Sequence, residues 1–373
     1  MKQKKWMISL AAVILLSGCV PSKDVEVEQE TEDSDTENVL IPSLQLDETY
    51  YRTLLPLKKS AARGEIVKNV SSKYDIEEVE LGLIRLSQGH FSPDDYFFQE
   101  GQFIDKSMSQ NWLARLSQPK DDSGLNPDVP KEATPEDRVN KYPVYLSHIV
   151  EQNYLVRAGE DKIKVDGVSI GLAMNSVYSY QNIERTIPQS EMVEKGRAMA
   201  NEIVTRLRKN PELKDVPILV GLFRQGNRDS IVPGTYVTYG LAARGSNEVQ
   251  DWAKVDEEFV LFPVSAAEEK FREAGTMFDN FKMDVDEYFS SFTNVIGTGF
   301  YQGNKLSRMK IDIPIQFYGS AELVGFTQYL TEQVIEHYPG IKVEVSVTSI
   351  NGPEALILKD ADDSEPKVHI YHY

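Results

Sequence analysis

The sequence predicts an α+β fold of two related repeats, each a mixed β-sheet with a crossover helix and a C-terminal hairpin. Three observations predict it. Apolar residues alternate over 309–317 and again over 341–347, with a helical-period stretch between them, so strand, helix and strand follow in turn. Asn351-Gly352, a tight-turn dipeptide, then leads into the apolar Ala355-Leu356-Ile357-Leu358. The same order of elements recurs upstream, between Val168 and Tyr239. In each copy the crossover makes the first two strands parallel, and the hairpin adds an antiparallel third.

The chain opens on a different kind of segment. Lys2, Lys4 and Lys5 precede an apolar stretch over residues 6–16, interrupted only by Ser9, and Leu16-Ser17-Gly18-Cys19 follows. A charged start, an apolar middle and a small-residue cleavage site are the layout of a secretory leader. The four last residues form a lipobox, in which the cut falls between Gly18 and Cys19 and the cysteine carries a lipid. The apolar run is about half of the ~20 residues needed for a membrane-spanning helix. Cys19 is the only cysteine of the 373 residues, so no disulfide forms within the chain, and lipidation accounts for the lone thiol. Residues 1–18 are accordingly read as a lipoprotein signal peptide, and residues 19–43 as a lipidated acidic tether. Eight acidic side chains between Asp24 and Glu37 stand there against Lys23, a composition that cannot bury enough apolar surface to order itself.

Residues 44–247 form the first predicted repeat. Val168, Ile170, Leu172 and Met174 alternate as a strand, and Ser190 opens a helix whose apolar face holds Met192, Val193, Met199, Ile203, Val204 and Leu207. Asn210-Pro211 ends it, and residues 218–223 and 235–239 supply two further strands. Residues 119–143, with five prolines, read as a long loop. In the second repeat, 248–373, Met309, Ile311, Ile313, Ile315 and Phe317 form the first strand, and Pro314 marks an edge or a bulge. Ser320 offers a helix cap. Leu323, Val324, Leu330, Val334, Ile335 and Tyr338 follow at helical spacing, and Pro339-Gly340 stops the helix. Two shorter echoes lie upstream: Leu54-Leu55-Pro56-Leu57 matches Leu261-Phe262-Pro263-Val264, and the stretch from Tyr96 to Gln102 matches that from Phe300 to Lys305. The junction falls near residues 244–255.

Composition limits the function. Hydrophobic residues make up 41% and charged residues 26%, values of a globular body. A net charge of −18 argues against nucleic acid as a partner and against adsorption to anionic headgroups. Attachment to the cell membrane, on its extracytoplasmic face, therefore rests on the N-terminal lipid.

Candidate chemistry is sparse. His369 and His372 sit in an alternating stretch that puts them on opposite faces of a strand, and no nearby cysteine or carboxylate completes a metal set. His90 with Asp94 and Asp95 suggests acid–base work, although Ser92-Pro93 reads as a solvated loop. Residues 297–303, rich in glycine, miss the dinucleotide spacing and read as a turn before a strand. Arg224-Gln225-Gly226-Asn227-Arg228 reads as a polar turn that is either exposed or the rim of a ligand site. Nucleophile elbows, phosphate loops and zincin motifs are missing from the sequence, no cofactor or metal is called for, and the chain is not read as an enzyme.

Against this background the sequence resembles the CamS family of lipoproteins of low-GC Gram-positive bacteria, described as sex pheromone cAM373 precursors. The resemblance lies in the lipobox leader, the acidic tether and the two repeats, with Glu48-Thr49-Tyr50-Tyr51-Arg52 and Pro56, Gln88-Gly89-His90-Phe91, and the stretches 96–101, 167–178 and 308–319. It implies processing by prolipoprotein diacylglyceryl transferase and signal peptidase II, with pheromone activity in the released leader rather than in the folded body. The corresponding segment here is Leu10, Ala11, Ala12, Val13, Ile14, Leu15 and Leu16. The resemblance supplies no catalytic residues. Three readings of the mature body stay open in descending order: a lipoprotein of this type with a binding role, a module for cell-wall glycan or peptide, and a cell-wall enzyme using carboxylates such as Asp94, Asp95 or Glu100.

Overall fold

The structure, a computed structural model, describes residues 24–26, 38–46, 49–67, 71–116, 124–159, 162–265, 268–288, 294–316 and 319–371. Two large sheets organise it, and the expected α+β class holds.

Strands β1 (Asp24–Glu26) and β2 (Asn38–Leu40) pair antiparallel, so part of the segment expected as a structureless tether carries a short ladder. Leu40 then exchanges two backbone hydrogen bonds with Leu55, and Ile41 is buried with Leu54, Phe97 and Leu155. The folded body thus begins at Leu40, ahead of the expected residue 44, because the apolar Leu40-Ile41 pair has a sheet edge to cover.

The first domain continues with β3 (Arg52–Thr53), α1 (Ile76–Ser87), β4 (Phe97–Glu100), α2 (Lys106–Leu113), α3 (Pro135–Asn140), β5 (Leu146–Arg157), β6 (Ile163–Met174), β7 (Val177–Tyr180), β8 (Ile183–Thr186), α4 (Gln189–Leu207), β9 (Ile218–Arg224), β10 (Thr235–Ala242) and β11 (Gln250–Lys254). Its sheet runs β11-β10-β9-β6-β5-β4-β3. The expected crossover is present: β6 and β9 are parallel, with Val168 opposite Ile218, and β10 returns antiparallel to β9. Helix α1 covers one face through Val79 and Leu83, while α2, α3 and α4 cover the other through Trp112, Val139, Ile203 and Val204. Cover on both faces explains why the first ten residues of β5 are all buried, polar ones included.

The second domain comprises β12 (Glu257–Phe262), α5 (Arg272–Tyr288), β13 (Ile296–Gln302), β14 (Lys305–Pro314), α6 (Ser320–His337), β15 (Lys342–Ser349), β16 (Gly352–Lys359) and β17 (Lys367–Ile370), with its strands side by side in chain order. Again β14 and β15 are parallel across α6, and β16 pairs antiparallel with β15. Helices α5 and α6 share one face, where Phe278, Phe281, Phe326, Leu330 and Val334 pack on the inward residues of β14, β15 and β16. Full burial of each such side chain contributes about 1.5–3 kcal/mol.

Several expectations need correction. The first sheet runs on to Lys254, so the division between the domains falls at Val255–Asp256 rather than at 247/248. β14 is an interior strand, not an edge; Pro314 is tolerated because it ends the strand two residues beyond Asp312, where β13 stops pairing. Neither crossover helix uses its expected hydroxyl cap, since Pro188 and Gly319 occupy the N-cap positions. The span 119–143 holds α3 as well as loop, and Thr134 with Asp137 forms a capping box at its start. The glycine-rich 297–302 stretch is the strand β13 itself. A Cβ on Gly297 would lie 2.5 Å from the Phe278 ring and one on Gly299 2.7 Å from the Phe262 ring, so these glycines admit aromatic packing, and Gly303 (φ 65°) makes the turn.

The upstream echoes also join non-equivalent positions, although both leucine–proline stretches contain a cis X–Pro bond. By sheet order and pairing, β12 takes the place of β4, and the β13–β14 hairpin that of β5–β6. β3 and α1 are additions of the first domain, which short sequence matches cannot distinguish from shared elements.

Candidate functional site

The cysteine, the lipobox and the candidate pheromone segment lie outside the described residues. No described helix is long and apolar enough to cross a membrane.

The remaining sequence candidates do not assemble. Asp94 and Asp95 lie in an exposed turn, and His90 stands edge-on to Tyr239, with ring centroids 5.8 Å apart. Glu100, on β4, faces a cavity that neither aspartate lines, so the three carboxylates do not converge. The 224–228 turn is packed at its start and exposed at its end: Gln225 is fully buried, the Gly226 carbonyl accepts from the Lys73 backbone N–H at 3.0 Å, and Ser176 Oγ meets Asn227 Oδ1 at 3.3 Å, whereas Asn227 and Arg228 are exposed. His369 is exposed on β17, edge-on to Tyr371 at 4.6 Å, and His372 is outside the described residues. Among the described residues no three His, Cys, Asp or Glu side chains are placed to hold a metal. The junction between the domains is filled by Arg85, Glu257, Glu78 and Phe300.

What the fold does assemble is a cavity of about 150 Å³ in the first domain, between α1, β4, β5 and the segment after β3. Helix α1 contributes Glu80, Leu81 and Ile84, β4 contributes Phe98 and Glu100, β5 contributes residues 148–152, and the preceding segment contributes Ser60 and Arg63. The wall therefore combines apolar side chains with three carboxylates, one guanidinium and one imidazole.

Each acidic group has a different standing. Glu151, 6% exposed, accepts backbone N–H bonds from Gln102 at 2.9 Å, Phe103 at 3.0 Å and Ile104 at 2.7 Å. Gly101 makes this possible, because a Cβ there would lie 2.4 Å from the Glu151 Cβ. Burial pushes the Glu151 carboxyl up, and the three amides only partly offset it. Glu100 accepts from the Ser60 N–H at 2.9 Å and from Arg63 Nη2 at 2.7 Å. The Glu80 carboxylate has no hydrogen-bond partner among the described residues; burial raises its carboxyl, Arg63 opposes that, and Glu100 adds to it. His148, 2% exposed, spends Nδ1 on the Glu65 carbonyl at 2.6 Å, and burial holds its imidazole below the usual range despite that bond. Because a carbonyl only accepts, Nδ1 carries the proton and Nε2 is left as an acceptor.

Sequence reasoning found Glu100 but missed Glu80, His148, Glu151 and Arg63. The available signal was a histidine and a glutamate three residues apart in the strand-like stretch 146–157.

The chain matches the family model described as CamS sex pheromone cAM373 precursor over residues 57–365. It is similar to the structure of the C-terminal domain of the sex pheromone staph-cAM373 precursor from Staphylococcus aureus, at 33% identity and TM-score 0.70, covering 80% of this chain and 97% of that one. It is also similar to the crystal structure of a sex pheromone precursor from Lactobacillus salivarius subsp. salivarius, at 26% identity and TM-score 0.80, covering 90% of this chain and 99% of that one. No curated protein sequence matches it.

Proposed function

The chain belongs to the CamS family, and from that premise we propose that it is made as a lipoprotein precursor whose leader and body have separate roles. Signal peptidase II cuts between Gly18 and Cys19 after prolipoprotein diacylglyceryl transferase has modified the cysteine. Lipid on Cys19 then holds the body on the outer face of the cell membrane. The leader, trimmed to a peptide within residues 9–18 that includes the stretch from Leu10 to Leu16, is the pheromone source. The body has a binding role, with the acid-lined cavity of the first domain as its seat, and the family's name supplies no reaction for it.

The observation that carries the reading is Leu16-Ser17-Gly18-Cys19 standing directly behind the lysine-led apolar run, with Cys19 as the chain's only cysteine. The net charge of −18 supports it from another side, since lipid rather than a basic surface must then supply the attachment. Two acyl chains, at about 0.8 kcal/mol per buried methylene, suffice for stable anchoring.

Metabolic labelling with a fatty-acid analogue tests it. The wild-type protein takes up label and fractionates with membranes, and Cys19→Ala does neither. An unlabelled wild-type protein overturns the anchoring. Synthetic peptides from residues 9–18, assayed for induction of conjugative aggregation, test the leader separately.

A further inference from the structure

The cavity beside Glu80 has a composition that selects its occupant. At about 150 Å³ it offers room for a chain of a few carbon atoms with one polar head, taking roughly 30 Å³ per water-sized group. Leu81, Ile84, Phe98 and Val150 line it together with Glu80 and Glu100.

Two polar groups of the lining that lack partners are acceptors. The Glu80 carboxylate has no hydrogen-bond donor among the described residues, and its charge is felt by both Arg63 and Glu100 across the cavity. His148 lines the same cavity, is 98% removed from solvent at 2% exposure, and leaves Nε2 without a partner among the described residues. Both groups are free to accept, so an occupant that brings N–H groups finds partners there. Several donors nearby are engaged: Arg63 Nη2 bonds Glu100, the Gln152 amide N–H bonds the Glu80 carbonyl at 2.9 Å, and the N–H groups of residues 102–104 bond Glu151. Three carboxylates against one guanidinium disfavour an anion.

We propose that this cavity binds a primary ammonium group on a short alkyl chain, with the ammonium between Glu80 and His148 Nε2 and the methylenes against Leu81, Ile84 and Phe98. The proposal rests on the body having a binding role and adds the class of ligand. The same chemistry is offered by a free alkylamine and by a lysine side chain of a peptide.

Calorimetric titration of the full chain with n-butylamine, Nα-acetyl-lysine-N-methylamide, n-butanol and butyrate separates the outcomes. At neutral pH the two ammonium compounds bind, and butanol and butyrate do not. Tighter binding of the lysine derivative identifies a peptide as the source, and tighter binding of butylamine a free amine. Glu80→Gln weakens ammonium binding about tenfold or more, as expected for loss of a charged hydrogen bond. Ile84→Trp, which fills the cavity without changing any charge, abolishes binding and guards against a Glu80→Gln protein that fails to fold. Butanol binding as well as butylamine, or wild-type affinity in Glu80→Gln, overturns the ammonium assignment while leaving a binding role intact. Silence with all four ligands removes both the assignment and the cavity as the seat of binding, and leaves the lipid anchor to its own test.

Discussion

Arg85 on α1 donates to Glu257 on β12 from Nε at 2.9 Å and from Nη2 at 2.7 Å, so a helix of the first domain grips the edge strand of the second. The same Nη2 meets Glu78 at 2.7 Å, and the guanidinium lies 4.7 Å above the Phe300 ring, whose centroid is 5.0 Å from the Arg308 guanidinium. Burial works against the charge on Arg85, but the bonds to Glu257 and Glu78 outweigh it and hold the group charged. Planarity matters here, because a fork of donors and a flat face over an aromatic ring are both in use.

Arg85→Met should therefore leave Glu257, whose side chain is 7% exposed, without its partner. Removing one member of a buried pair costs about 3–5 kcal/mol. Denaturant unfolding should show a lower midpoint, and limited proteolysis should cut faster near Val255–Asp256. Arg85→Lys should recover little of the loss. An unchanged midpoint in Arg85→Met contradicts the grip.

Tyr236 on β10 is seated by glycines from three elements. A Cβ on Gly171 would lie 2.4 Å from its Oη, and Cβ atoms on Gly82 and Gly221 would lie 2.9 and 2.7 Å from its ring. Its hydroxyl donates to the Val79 carbonyl at 2.8 Å. Gly171→Ala should destabilise by about 1–3 kcal/mol through overpacking, and Tyr236→Phe by about 1 kcal/mol through the lost hydrogen bond. Since the added methyl meets the very oxygen that Tyr236→Phe removes, the double variant should lose less than the sum. Additive losses in a double-mutant cycle contradict this geometry.

His148 provides a pH dependence. Its folded pKa lies below the ordinary 6.5 because burial disfavours the imidazolium, with the Glu65 carbonyl offsetting this only in part. The unfolded chain therefore takes up the proton first as pH falls. The stability owed to neutral His148 is present above about pH 6.5 and is lost as pH drops through the folded value. Imidazole titration by NMR should give a midpoint below 6.5, and between that midpoint and 6.5 wild type should lose stability faster than His148→Gln. A midpoint above 6.5 contradicts it.

Thr134 and Asp137 cap α3 reciprocally: the Asp137 N–H donates to Thr134 Oγ1 at 3.1 Å and the Thr134 N–H to Asp137 Oδ2 at 3.3 Å. Thr134→Ala should cost about 1 kcal/mol. Amide exchange at Val139, fully buried in α3, should quicken relative to that at Leu330 in the distant α6.

Much of the architecture was legible because it is periodic. Met309, Ile311 and Ile313 announce a strand by alternation, and Met199, Ile203 and Leu207 announce a helix by spacing; both readings survive in β14 and α4. Glycines misled. Gly297 and Gly299 look like turn residues until the Phe262 and Phe278 rings beneath them are seen. The candidate site was nearly illegible, since Arg63, Glu80, Glu100 and His148 have no regular spacing and no motif.

By itself the sequence determined the lysine-led apolar run in front of Cys19, the acidic segment behind it, and a doubled order of strand, crossover helix, parallel strand and hairpin. These depend on composition and on neighbours a few residues apart, which any stretch of chain carries with it. Only the tertiary structure decided that β12 stands where β4 does, that Arg85 joins the two domains, and that Glu80 and His148 share one cavity. Those relations span dozens to more than 170 residues, and the closure of each sheet and the packing of α1 upon it settle them rather than any local preference.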